Sequence, residues 1–265
     1  MASTEADRDG ASADLMPVPT AEIVAAVRRS GADNPLLGIG LPSAELPDGP
    51  DRRVRDDADV AALIEAVGSW AGSAERRVAA SLVVLGYSAR IVGPAVSVLL
   101  RDGILLDLRP SNVRYRFDPG RGFVLDLVRA GGWREAAAGG DSGSLFDHWT
   151  RVVVDSQLAP LVETVRSVVP VASALLWGNV AAGLAGALRT VAASAAVPPE
   201  RCHAAGGRLL DRGPLRGSGE LTLRGGQVDF VRTTCCLYYR LPGAGLCGDC
   251  VLARRDGGSD GGAQT

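Results

Sequence analysis

Apolar residues recur at three- and four-residue intervals along most of this chain, and at two-residue intervals in only a few short runs. The first pattern predicts helices. Ile23, Val24 and Val27 share one face of 20–29, behind Pro19. Val60, Leu63, Ile64 and Val67 stripe 57–70, with Asp57 placed to cap it. Two further helices are expected near 74–85 and 88–100, two long ones near 147–168 and 170–196, and one near 199–211. Asp147 is read as the cap of the first long helix, which puts His148 at its start. Pro198-Pro199 stops the second. The period changes at 103–108, 113–117 and 122–128, runs parted by Pro110-Ser111-Asn112 and Asp118-Pro119-Gly120. Turn residues between such runs predict a small antiparallel meander. A last hairpin is expected over 220–223 and 228–232, turned at Gly225-Gly226. Prolines make 34–50 irregular, and 136–143 reads as a flexible link. The fold class is therefore α+β, mainly helical, with a small antiparallel sheet and a cysteine-rich end. The expected division is a disordered tail over 1–16, a body over 17–218, a cysteine-bearing segment over 219–253 and a tail over 254–265.

The uncharged stretch 171–188 has the length of a membrane span but is mostly Ala and Gly, with Asn179 in its middle. A buried core helix is the expectation. Gly178, Gly183 and Gly186 do not have dinucleotide-loop spacing and follow no strand, so they read as close helix-packing positions. A chain of 265 residues buries about 70% of its unfolded surface, enough for a core without a metal. Its net charge of -2 argues against nucleic acid as a partner. All 28 basic residues are Arg, which excludes Lys Schiff-base chemistry and the usual phosphate-loop Lys. The start, MASTEADRDGASADLM, has no basic-then-apolar run, and a cytoplasmic chain with reduced thiols is expected.

Four of the five cysteines then stand out. Cys235, Cys236, Cys247 and Cys250 crowd one short segment, and Cys202 stands apart beside His203. Cys247 and Cys250 form a two-apart knuckle eased by Gly248. Cys235 and Cys236 are adjacent, and on an extended strand they would face opposite sides. Both serve one centre only if the backbone bends there or if they reach different atoms of a polynuclear centre. Pro242, Gly243 and Gly245 let the chain loop back between the pairs. Arg232 and Arg240 flank the segment and would offset part of a four-thiolate charge. Spacing favours an iron–sulfur cluster over zinc or free thiols, and leaves all three open. Cys202 and His203 are neighbours on a helix and do not face one another. Trp177 and Asn179 read as core, and Tyr238 and Tyr239 as a shield over the cluster.

The Cys-Cys-x10-Cys-x2-Cys segment, with Tyr239-Arg240-Leu241-Pro242 and Gly248-Asp249-Cys250, resembles the carboxy terminus of FhuF-like ferric-siderophore reductases. Leu176-Trp177-Gly178-Asn179 and Leu85-Gly86-Tyr87 with Ala89-Arg90 resemble that family's helical motifs. The resemblance implies one [2Fe–2S] cluster on Cys235, Cys236, Cys247 and Cys250, and no catalytic residue beyond it. It implies one-electron reduction of siderophore-bound Fe(III), hydroxamate-type complexes being the expected substrates. No nicotinamide or flavin motif is present, so an external donor such as a ferredoxin or a flavin reductase is expected. Transient association with the inner membrane face fits a chain that would receive siderophores from a transporter. The alternatives are a zinc-stabilised binding module and a [2Fe–2S] carrier or redox sensor with another target.

Overall fold

The computed structural model describes residues 15–42, 57–136 and 143–253. Seven helices dominate the described residues. They are α1 (Thr20–Asp33), α2 (Asp57–Trp70), α3 (Arg76–Asp102), α4 (Gly143–Trp149), α5 (Ala159–Val168), α6 (Ser173–Ala193) and α7 (Pro199–Leu210). The strands are β1 (Leu15–Pro17), β2 (Leu105–Leu106), β3 (Val113–Asp118), β4 (Gly122–Leu127), β5 (Gly132–Glu135), β6 (Gly219–Arg224) and β7 (Gln227–Arg232). The α+β, mainly helical class holds.

The centre is α3 packed on α6. Both are apolar almost all round, as helices buried on most sides must be. Each is long and apolar enough to cross a membrane, and 78% of each apolar window is buried inside this fold. Small residues set their separation. A Cβ on Gly183 would stand 3.3 Å from the Ala89 backbone. The expected pair of helices over 74–100 is thus one helix. Pro94 lies inside it, and core contacts outweigh the backbone bond that proline removes.

The meander is also corrected. β3 and β4 pair from Val113↔Leu127 to Asp118↔Gly122, but β2 pairs with β5 instead. The strand order β1-β5-β2 closes a separate three-stranded sheet. Leu15 faces Glu135 in it, so the boundary placed after residue 16 cuts through β1. The hairpin β6-β7 forms as expected. Gly225 and Gly226 both have positive φ, 56° and 78°, the turn that matches strand twist. Val228 and Phe230 project into the common core.

A π-helical stretch, Thr150–Leu158, joins α4 to α5. Asp147 is no cap: it lies inside α4 and pairs with Arg212, and His148 is buried in the last turn. The helix includes Gly143, so the tail of the expected 136–143 link is helical, and 137–142 lies outside the described residues. The expected tail over 254–265 and most of the one over 1–16 also lie outside them.

Candidate functional site

The cysteine segment leaves the end of β7 and lies across the start of α3 and along α6. In β7, Val228, Phe230 and Arg232 are each 2% exposed, while Gln227 and Asp229 face out. Strand alternation thus carries Arg232 inward as the last inward residue. Two threonines then turn the chain. Thr233 bonds the Ser218 and Gly217 carbonyls, and Thr234 Oγ1 donates to the Ala174 carbonyl at 3.2 Å. Thr234 passes so close to α6 that a Cβ on Gly178 would stand 2.4 Å from its hydroxyl.

The difficulty posed by adjacent cysteines is resolved by the backbone. Cys235 and Cys236 are not in a strand, and Leu237 takes a left-handed φ of 66°. That conformation is rare for a branched residue and marks a constrained turn. The turn aims the Leu237 amide at the Cys235 sulfur, 3.4 Å away. Tyr238–Arg240 continue as a short 3₁₀ turn. Arg240 pairs with Glu75, the residue before α3, and Leu237 and Leu241 pack on the core. The knuckle is closed by the Cys250 amide on the Cys247 carbonyl at 3.1 Å. It is tied down twice through Asp249. The Asp249 carbonyl accepts the Arg232 amide at 3.2 Å, and its carboxylate meets Arg189 of α6 at 2.7 Å.

A polar chain runs beneath the cysteines. The Ser81 hydroxyl of α3 donates to the Cys236 carbonyl at 2.6 Å. Asn179 of α6 donates to the carbonyl and hydroxyl oxygens of Ser81 at 2.8 and 2.9 Å. Arg232 donates to the Asn179 side-chain oxygen. Ser81, Asn179 and Arg232 are all buried. Sequence reasoning read Asn179 as a buried amide, which it is, and missed the network it joins. The signal was present: an Asn within an apolar helix, and an Arg on the buried phase of a strand.

Of the four sulfurs, Cys236 lies near enough to Cys247 to act on its thiol. Burial pushes the Cys247 thiol up to about 12, the Cys236 sulfur adds to the rise, and the Asp249 amide and Arg232 oppose it. Cys236 and Cys250 are buried, and Cys235 and Cys247 are half-exposed. Among the described residues no three His, Cys, Asp or Glu side chains gather closely enough to hold one metal ion. A two-iron centre takes two thiolates at each iron. Four cysteines in two pairs, with the Leu237 amide directed at the Cys235 sulfur, are a donor set that fits one.

Other residues fall outside this site. Cys202 is fully buried on α7, and burial pushes its thiol up to about 11. His203 faces the Leu221 carbonyl at 3.3 Å. Tyr238 and Tyr239 are 39% and 42% exposed, and with Leu246 they make an open apolar edge beside the cysteines. Gly86 lets the Phe123 ring pack on α3, and Tyr87 meets Phe123 edge-on. Arg90 donates to the Pro35 carbonyl and lines a concavity of 330 Å³ with Arg116, Arg121 and Asp126.

No curated protein matches the chain. Residues 232–252 match the FhuF 2Fe-2S C-terminal domain. The matched stretch begins at the buried Arg232 and ends two residues past Cys250. The cofactor of this domain is a [2Fe–2S] cluster, in agreement with the donor set. Residues 232–252, and with them all four cysteines of the segment, are thus similar to the FhuF 2Fe-2S C-terminal domain.

Proposed function

We propose that this protein reduces siderophore-bound Fe(III) to Fe(II), with Cys235, Cys236, Cys247 and Cys250 holding the [2Fe–2S] cluster. The observation that carries the reading is the match of 232–252 to the FhuF 2Fe-2S domain. When bound, the cluster supplies a one-electron couple. The chain's residues do the rest. The Leu237 turn and the Asp249 knuckle present two cysteine pairs on one side of the α3–α6 pair. Half-exposed Cys235 and Cys247 keep that side near the surface. Tyr238, Tyr239 and Leu246 give a ferric complex an apolar edge to rest on. The substrate iron gains one electron and no ligand bond need be cleaved. Hard siderophore oxygens hold Fe(III) tightly and Fe(II) far more weakly, so the iron is released. The electron comes from a separate donor protein, ferredoxin or flavin reductase, and the reaction belongs in the cytoplasm, with docking at the inner membrane face as its delivery point.

Anaerobic purification with absorption and EPR spectra tests the cofactor, and a zinc module would be colourless. Chemically reduced protein is then mixed with ferric hydroxamate and ferric catecholate complexes and an Fe(II) trap. About one Fe(II) is expected per cluster oxidised. NADPH alone should give little Fe(II), and added ferredoxin with its reductase should restore release. Failure of every ferric complex to oxidise the reduced protein would overturn the reductase reading in favour of a carrier or sensor.

A further inference from the structure

Arg232 is among the largest fully buried side chains of the protein, and it carries a charge. A guanidinium keeps its proton under any ordinary condition, so burial cannot neutralise it. Its bonds go to neutral groups. One terminal nitrogen donates to Asn179 Oδ1 and, at 3.5 Å, to the Leu175 carbonyl. Its Nε is buried with no partner. Among the described residues no carboxylate pairs with it: Asp249, whose backbone it touches, sends its carboxylate to Arg189. Arg240, the other flanking arginine, is exposed and satisfied by Glu75. A buried charge without a counter-charge is strongly unfavourable unless something supplies one. What lies above Arg232 is the cysteine segment: the Arg232 amide bonds the Asp249 carbonyl between Cys247 and Cys250, and Asn179 and Ser81 link its guanidinium to the Cys236 carbonyl.

We propose that Arg232 is the built-in counter-charge of the cluster, an unpaired buried cation that the fold retains for an anionic group to complete. This rests on reading 232–252 as a [2Fe–2S] site. Two ferric ions, two sulfides and four thiolates sum to a dianion, and one added electron makes a trianion. A fixed cation held away from water favours the more negative state and raises the potential. The same cation burdens the protein without its cluster. Asn179 and Ser81 fix the guanidinium's place and connect it to the Cys236 backbone, so Arg232 acts as a positioning charge and not as a ligand.

The test compares wild type with Arg232→Met, Arg232→Lys and Arg240→Gln, loaded and cluster-free. At the potential where wild type is half reduced, the reduced-to-oxidised ratio of Arg232→Met should fall at least tenfold by EPR titration, a shift of 59 mV. Arg232→Lys should recover most of it, and Arg240→Gln should stay within threefold. Thermal unfolding adds a sign that packing alone would not produce. Without the cluster, Arg232→Met should melt at or above wild type; with it, below. Arg232→Met that fails to load while its cluster-free form is stable, with Arg232→Lys loading, also supports the proposal. A loaded Arg232→Met with the wild-type ratio, or a cluster-free one that melts below wild type, overturns it. Wild type that binds neither iron nor sulfide overturns the cofactor reading itself, and the proposal with it.

Discussion

Leu237 shows how much a single residue can decide. Without its left-handed turn the two adjacent sulfurs would point to opposite faces, and the segment could serve one centre only by straddling it. The cysteines divide by their surroundings as well as by their grouping. Cys202 is packed in the core and bonds weakly to the Val197 carbonyl. It lies on α7, fully buried and outside the segment that carries the other four cysteines. Serine in place of Cys235, Cys236, Cys247 or Cys250 should therefore abolish the cluster, and Cys202→Ser should leave it intact. Iron and acid-labile sulfide per chain measure this, and an intact cluster in any of the first four variants would contradict the ligand set.

Elements hold the site through one close approach, that of α6 to the turn after β7. Gly178 permits it. Gly178→Ala would drive a methyl into the Thr234 hydroxyl and to 3.1 Å from the Arg232 guanidinium. Overpacking of this kind is expected to destabilise by about 1–3 kcal/mol and to lower the iron content. Gly186 on the same helix is the control, since a Cβ there meets nothing within 4 Å. Gly186→Ala should be neutral or stabilising by up to about 1 kcal/mol. Denaturant melts with iron analysis separate the two, and equal iron in both would refute the close-approach argument. At this scale the chain was largely legible before its structure. The stripe on α2, the prolines opening α7 and the Gly225-Gly226 turn are local signals, and they held. What was illegible is tertiary: that β2 pairs with β5, and that α3 runs through Pro94. Pairing partners far apart in sequence leave no local period. The cysteines were legible by spacing alone. The Ser81–Asn179–Arg232 chain beneath them was not, because its members come from three distant elements and each passes for core when read alone.

For the molecule as a whole, pH acts through a group remote from the cysteines. Burial lowers the pKa of His148, and the charges of Arg151 and Arg109 lower it further. Arg151 donates to its Nδ1 at 3.1 Å, which fixes the neutral ring. The unfolded chain binds a proton near pH 6.5 that the folded protein resists. Stability from this group is complete above pH 6.5, declines as pH drops below it, and levels off once the folded value is passed. Melting temperature should fall more steeply from pH 7 to 5 in wild type than in His148→Gln, and parallel curves would refute the assignment. The Ser81 bond carries another consequence, one of time. Its hydroxyl meets a carbonyl 155 residues later, and Asn179 reaches back 98 residues to Ser81. Contacts that span so much chain are the slow ones to form, because loop closure must precede any return from them. The floor under the cysteines is therefore a late product of folding. During synthesis the body can collapse long before the last cysteine emerges, and a cluster seated on that floor marks a chain that has finished folding.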